Sequence, residues 1–127
     1  MRLGVIQLCS GTQVSDNINT TSALIRKCAK EGATLIVTPE MTHLVQKDKA
    51  GLWAFIQSED KDKGVAAFSS LAKELGVTLL IGSLAIKVGD KIANRSYVFG
   101  ADGAIKARYD KIHLFFPKML FRLLNFL

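Results

Sequence analysis

Cysteine and proline are scarce in this chain, which has only two of each among its 127 residues. The two cysteines, Cys9 and Cys28, are too few for the disulfide framework of a small secreted domain, and their spacing is not that of a metal-binding pair. We therefore expect free thiols and a cytoplasmic protein. Long apolar runs are missing as well. No stretch approaches the ~20 apolar residues of a membrane span, and the N-terminal apolar run is too short for a signal peptide.

An excess of basic over acidic side chains gives the chain a net charge of +6. Such a balance can favour nucleic acid or an anionic lipid surface. The lysines and arginines are, however, spread along the sequence, and no DNA- or RNA-reading motif or glycine-rich phosphate loop accompanies them. We therefore predict a solvated basic surface with no nucleic-acid partner and no membrane contact. A basic module that binds nucleotides or nucleic acid is the weakest alternative.

Short apolar runs alternate with amphipathic segments, and this order predicts the fold class. Buried strands are expected at residues 3–8, 33–37 and 77–82, with helices between them that end at Gly32 and Gly76. Further predictions are a helix N-cap at Ser15 or Asp16, a short helix near 52–56, a solvated charged connector at 59–63, a helix over 64–75, a hairpin over 83–99 and a strand over 104–108. Two helical crossovers followed by an antiparallel meander indicate an α/β protein with a mixed sheet.

Two polar segments stand where apolar strands end, and they carry the candidate chemistry. Residues 38–42, which include Glu40, follow the second strand, and residues 109–115, which include Lys111, follow the last one. A carboxylate and an ammonium at neighbouring strand ends can serve as a general base and an oxyanion-stabilising cation. Taken singly, each also fits a plain surface or salt-bridged group. His113 lies between two apolar neighbours and is interpreted as a packed histidine rather than a catalytic one.

The same two segments closely resemble catalytic motifs of the nitrilase superfamily, the carbon–nitrogen hydrolases. Leu-Ile-Val-Thr-Pro-Glu at 35–40 and Tyr-Asp-Lys-Ile-His-Leu-Phe at 109–115 carry the resemblance, which extends over residues 1–115. It implies the N-terminal half of an α-β-β-α sandwich, a mixed sheet with helices on one face. It also implies hydrolysis of a small amide or nitrile through a thioester, without metal or organic cofactor. In that family the glutamate, here Glu40, is the general base that activates a cysteine, and the lysine, here Lys111, stabilises the tetrahedral intermediate.

The family's third motif, which supplies the nucleophilic cysteine, has no counterpart in this sequence. Cys9 ends the first strand and Cys28 falls on the apolar face of a helix, so neither is a convincing nucleophile. Residues 1–115 are therefore interpreted as a partial hydrolase domain. Residues 116–127 are interpreted as an aberrant apolar and basic tail of a frameshifted or truncated gene product.

These interpretations lead to two hypotheses of function. The first is a carbon–nitrogen hydrolase that carries Glu40 and Lys111, is inactive alone for want of the cysteine, and forms a homo-oligomer when it is full length. The second is a non-catalytic regulatory fragment that binds a full-length relative through its apolar tail.

Overall fold

The computed structural model describes residues 1–111, which form five strands and three helices. In chain order these are β1 (Leu3–Val5), α1 (Val14–Lys30), β2 (Leu35–Val37), α2 (Lys49–Phe55), α3 (Lys63–Leu75), β3 (Thr78–Val88), β4 (Lys91–Phe99) and β5 (Ile105–Asp110). The predicted α/β class with a mixed sheet is confirmed. His113 and the tail at 116–127 lie outside the described residues, so the predictions made for them stay predictions.

The strands form one sheet whose spatial order, β1-β2-β3-β4-β5, is also the order in the sequence. β1, β2 and β3 pair in parallel, so the chain must return over the sheet between them, and it does so through helices. β3, β4 and β5 pair antiparallel and are joined by tight turns in which Gly89 and Gly103 take positive φ. Both predicted crossovers and the predicted hairpin are confirmed.

The two long helices, α1 and α3, pack on one face of the sheet and bury the main core there. Ile18, Thr21 and Ile25 form the inward face of α1, as the helical period predicts, and all three are buried. On the sheet, the residues of this core alternate along the strands because successive side chains point to opposite faces. The largest of them are Ile36, Leu79, Ile81, Leu84, Ile86, Tyr97 and Phe99.

The opposite face of the sheet is less completely covered. It carries a smaller apolar cluster, against which Leu52 of α2 packs: Leu44, Ile56, Ala85 and Ile92. Three large apolar side chains on this face are exposed: Leu3, Val5 and Tyr109. Among residues 1–111, helices therefore cover one face well and leave the other partly open.

Helix starts differ from the predictions by one to three residues: α2 begins at Lys49 rather than near 52, and α3 begins at Lys63 rather than 64. α1 begins at Val14, so its N-cap is Gln13 and not the predicted Ser15 or Asp16, and Gln13 makes no side-chain cap hydrogen bond. Asp16 lies instead in the first turn, where a carboxylate interacts favourably with the helix dipole. α3 ends at Gly76 as predicted, with φ of +63. No helix within residues 1–111 is long and apolar enough to span a membrane.

The third strand differs most from its prediction. The expected strand at 77–82 and the first strand of the hairpin are one element, β3, of 11 residues. Its pairing with β4 shifts register between Ile81 and Leu84, which marks a β-bulge. The sequence break that Gly82 indicates is therefore an irregularity inside one strand rather than a strand end.

The charged segment at 59–63 is not the solvated connector that its composition predicts. Glu59 is half-buried and accepts hydrogen bonds from three side chains of β4 and β5. Asp62 is buried and caps α3, its Oδ1 accepting from the Val65 amide at 2.9 Å. Its Oδ2 lies 3.1 Å from Nε2 of His43, which is also buried. The prediction holds for Asp60, Lys61 and Lys63, which are exposed. It was wrong for the other two acidic residues because their partners come from distant parts of the chain.

Asp62→Ala is expected to lower the free energy of unfolding by about 2 kcal/mol. The change removes a helix cap, typically worth ~1 kcal/mol, and leaves the buried ring of His43 without its partner. Urea unfolding of the purified chain measures the loss. Asp48→Ala is the matched control, because Asp48 caps the short exposed helix α2 through Gly51 and contacts no buried group by hydrogen bond. Equal losses in the two variants would contradict a role for the His43 contact.

Candidate functional site

Glu40 and Lys111, 71 residues apart, meet in the folded chain. The Lys111 ammonium donates to Oε1 of Glu40, with 2.6 Å between Nζ and Oε1. About a third of each side chain is exposed, 38% of Glu40 and 31% of Lys111, so solvent reaches the pair. The residues do not, however, follow neighbouring strands as the sequence suggested. Glu40 follows β2 and Lys111 follows β5, with β3 and β4 between them.

The segment that carries Glu40 crosses β3 and is held there by hydroxyl groups. The hydroxyl of Ser83 accepts from the Met41 amide at 2.9 Å, and its carbonyl accepts from the Thr42 amide at 2.9 Å. The hydroxyls of Thr38 and Thr42 lie 2.7 Å apart. Met41 has φ of +52, a left-handed conformation that is uncommon outside glycine and here turns the backbone directly after Glu40. These contacts direct the carboxylate across the sheet towards β4.

Gly82 lets this segment approach β3. A Cβ atom at this position would come closer than 3.0 Å to backbone atoms of Thr38 and Pro39. The Gly82 amide donates to the Thr38 hydroxyl at 3.2 Å, and the Gly82 carbonyl accepts from the Ser96 hydroxyl at 2.6 Å. Glycine is therefore needed here for close packing of two backbones rather than for a positive φ.

Asn94 of β4 joins the two candidate residues, and the sequence reasoning did not single it out. Its Nδ2 donates at 2.7 Å to Oε1 of Glu40, the oxygen that Lys111 also contacts. Its carbonyl accepts from the Lys111 amide at 2.9 Å. The side chain is only 4% exposed, and its Oδ1 has no hydrogen-bond partner among the described residues. The signal in the sequence is an amide at a buried strand position, two residues after Ile92.

Glu40 and Lys111 are arranged so that the carboxylate can accept a proton and the ammonium can stabilise a negative charge. Both donors form their described hydrogen bonds with Oε1 of Glu40, and Oε2 accepts no described hydrogen bond from residues 1–111. A carboxylate oxygen in this position can accept a proton from an incoming nucleophile. The Lys111 ammonium stands beside it, where it can stabilise negative charge that develops on a substrate oxygen.

The two cysteines are free thiols, and neither makes a described contact with Glu40 or Lys111. Cys28 packs beneath β1, where a Cβ on Gly4 would touch its Sγ. Cys9 is exposed and precedes Ser10, whose hydroxyl donates to the Thr42 carbonyl at 2.8 Å. Within residues 1–111 no group of three or more His, Cys, Asp or Glu side chains is placed to hold a metal ion.

Comparison with known proteins gives a consistent family match. The model of the carbon–nitrogen hydrolase family matches residues 2–124. The chain is 34% identical to the omega-amidase of Homo sapiens over 116 residues and 33% identical to the chloroplastic omega-amidase of Arabidopsis thaliana over 116 residues. These matches cover 90% and 89% of this chain but 41% and 31% of the relatives. The chain thus spans less than half the length of either relative.

Solved structures agree with this match. The carbon–nitrogen hydrolase of Helicobacter pylori G27 superposes with a TM-score of 0.75 at 25% identity, over 89% of this chain and 40% of the other. An amidase from Neterenkonia sp. AN1 superposes with a TM-score of 0.79 at 20% identity, over 93% of this chain and 46% of the other. The five-stranded mixed sheet with its helices is therefore part of a fold that these larger proteins share.

Proposed function

This chain belongs to the carbon–nitrogen hydrolase family, and we propose that Glu40 and Lys111 are the general base and the oxyanion-stabilising cation of an amidase site. The observation that carries the proposal is the contact between the Lys111 ammonium and the Glu40 carboxylate across 71 residues of sequence. Asn94 supports it, because a buried amide that holds the base and the backbone of the cation together has no evident use in a plain surface ion pair.

The proposed reaction proceeds through a thioester. A cysteine thiol gives its proton to Glu40, and the sulfur attacks the amide carbonyl carbon. The Lys111 ammonium stabilises the negative charge on the carbonyl oxygen of the tetrahedral intermediate. The carbon–nitrogen bond then breaks, and the proton on Glu40 passes to the leaving nitrogen, which departs as ammonia or an amine. Glu40 next takes a proton from water, whose oxygen attacks the thioester carbon and releases the carboxylic acid and the thiol.

We propose a small amide or nitrile as the substrate and a reducing compartment such as the cytoplasm as the location. The names of the omega-amidase relatives support the amide, and two free cysteines support the compartment. The nucleophile would be a cysteine other than Cys9 and Cys28. Cys28 is packed against β1, and no described contact links the thiol of Cys9 to Glu40.

Ammonia release from small primary amides tests this proposal. The gene is tagged at its N-terminus in the organism that encodes it, and the protein is purified so that any longer product or bound polypeptide is retained. We expect this preparation to release ammonia and to lose the activity on treatment with methyl methanethiosulfonate, which blocks thiols. The recombinant 127-residue chain, assayed beside it, is expected to be inactive.

The variant Cys9→Ser with Cys28→Ser is the control for the nucleophile. It should keep the rate of the native preparation, because neither thiol takes part in the proposed reaction. Loss of activity in a folded double variant would make one of these cysteines the nucleophile. A folded native preparation that releases no ammonia from any primary amide would contradict the hydrolase proposal.

A second candidate function is that of a non-catalytic fragment that associates with a full-length relative. The exposed Leu3, Val5 and Tyr109 on the partly open sheet face favour it, since such apolar side chains commonly mark an interface. Two results together would support this candidate over the first. The native tagged chain would co-purify with a longer carbon–nitrogen hydrolase, and the activity of that hydrolase would survive Glu40→Gln in the tagged chain. We also propose self-association for a full-length form of the protein.

A further inference from the structure

Behind the contact of Glu40 with Lys111, on the helix-covered face of the sheet, two charged side chains pair across β4 and β5. Nε of Arg95 donates to Oδ1 of Asp110 at 2.6 Å, and Nη2 donates to Oδ2 at 2.9 Å. The two residues stand directly opposite each other in the register of the strands. Two parallel hydrogen bonds between a guanidinium and a carboxylate form the most directional kind of ion pair.

Glu59, from the segment between α2 and α3, ties this pair to the body of the domain. Its carboxylate accepts from Nη1 of Arg95 at 2.9 Å, from the Tyr97 hydroxyl at 2.9 Å and from Nη2 of Arg108 at 2.7 Å. Hydrogen bonds from Arg108, Tyr97 and Arg95 lower the pKa of Glu59 to about 2. The guanidinium of Arg95 likewise lowers the pKa of Asp110. Both carboxylates are therefore ionised at neutral pH, and the network keeps its charges.

The ion pair and the candidate site lie at the same end of the β4–β5 ladder, on opposite faces of the sheet. Arg95 is the sequence neighbour of Asn94, and Asp110 is the neighbour of Lys111. Neighbouring side chains of extended backbone point to opposite faces of a sheet. Fixing Asp110 on the helix-covered face therefore orients Lys111 on the other face, where Glu40 lies.

This end of β5 lies at the edge of the described sheet. Within the described sheet β5 is an edge strand that pairs only with β4, and five of its six residues are exposed. Ends of exposed edge strands open at low free-energy cost. The last described ladder contact is the hydrogen bond from the Lys111 amide to the Asn94 carbonyl, at 2.9 Å.

We propose that Arg95 and Asp110 are positioning residues, whose ion pair fixes the end of β5 and so keeps the Lys111 ammonium against Glu40. The role of Lys111 as the oxyanion-stabilising cation rests on the proposed function. Neither Arg95 nor Asp110 touches the substrate in this scheme; both act through the placement of Lys111. Glu59 in turn fixes the guanidinium of Arg95.

Nuclear magnetic resonance of the isotope-labelled 127-residue chain tests this proposal. The side-chain signal of Lys111 is identified by its loss in Lys111→Arg. The shift of this signal in Glu40→Gln then measures the effect of the contact between Lys111 and Glu40. In Asp110→Ala we expect the Lys111 signal to shift by at least half as much as it does in Glu40→Gln. The Lys111 amide should exchange with solvent about tenfold faster, because the end of β5 opens more often. Arg95→Met should have the same two effects.

Two variants serve as controls. Lys106→Met breaks the exposed ion pair of Lys106 with Asp102 at the other end of β5, 2.7 Å in length, and should leave the Lys111 signal and exchange rate unchanged. Asp110→Glu keeps the charge and should restore most of the wild-type signal. A rescue by the conservative variant distinguishes positioning by the ion pair from a mere loss of packing.

A folded Asp110→Ala chain with the wild-type Lys111 signal and exchange rate would overturn the proposal. If that variant does not fold, Asp110→Asn, which keeps the side-chain volume, replaces it. Asp110→Asn should shift the Lys111 signal in the same direction by a smaller amount. The measurement does not depend on hydrolysis. An inactive native preparation contradicts the proposed function alone, whereas an unmoved Lys111 signal contradicts the positioning role alone.

Discussion

Glu40→Gln is expected to lower kcat/KM for amide hydrolysis by about a thousandfold in the native tagged protein. The substitution keeps the size of the side chain, and its carbonyl oxygen can still accept hydrogen bonds from Asn94 and Lys111. The amide nitrogen, however, replaces the Oε2 oxygen of Glu40, and a neutral amide cannot accept the thiol proton. The effect should therefore fall on the chemical step and leave the fold unchanged.

The measurement is the rate of ammonia release as a function of amide concentration, with the unfolding midpoint measured on the same preparation. Glu74→Gln is the matched control. Glu74 is exposed on α3, where it pairs with Arg26, and should alter the rate less than twofold when neutralised. An activity of Glu40→Gln within tenfold of the wild type would mean that another group is the base.

Gly82→Ala is expected to destabilise the chain by about 3 kcal/mol or more and to displace the segment that carries Glu40. The added methyl group would lie closer than 3.0 Å to backbone atoms of Thr38 and Pro39. Backbone atoms cannot rotate away as a flexible side chain can, so the two segments must separate. The hydrogen bond from the Gly82 amide to the Thr38 hydroxyl should weaken in the same movement.

Urea unfolding of the 127-residue chain measures the stability change. Movement of the segment is measured by nuclear magnetic resonance: if Glu40 has moved away from Lys111, Glu40→Gln should no longer shift the Lys111 side-chain signal in the Gly82→Ala chain. Gly11→Ala is the control, because a Cβ at Gly11 meets nothing within 4 Å. It should change the free energy of unfolding by less than ~0.5 kcal/mol. A loss below ~1 kcal/mol in Gly82→Ala would indicate that the bulge of β3 can relax away from Pro39.

The periodicity of apolar residues predicted most of the fold. The inward face of α1, the stripe of α3 with its Gly76 end, and the turns at Gly89 and Gly103 are local patterns, each decided by residues within one or two turns of chain. The errors arise where distant segments meet. Residues 77–82 and 83–88 were predicted as separate strands, yet the long pairing with β4 makes Thr78–Val88 one strand with a bulge.

Prediction of the candidate site was uneven in the same way. The motif resemblance selected Glu40 and Lys111, and the structure brings them together. Asn94 was missed because an asparagine in a strand has no distinctive local pattern. Glu59 and Asp62 were misread as solvated charges, because nothing near them in the sequence indicates the arginines, the tyrosine or the histidine that they meet.

The sequence by itself determined the α/β class and most of the elements, and it selected Glu40 and Lys111 as candidate residues, because helical period, turn glycines and strand-end motifs are properties of neighbouring residues. Tertiary structure alone decided that the segment after β2 crosses β3, so that Glu40 meets a lysine from a strand three places away. It also decided that a buried asparagine joins them and that an ion pair on the opposite face holds the end of β5. Contacts between residues 54 and 71 positions apart depend on how strands pair and bulge, and that is a property of the packed sheet.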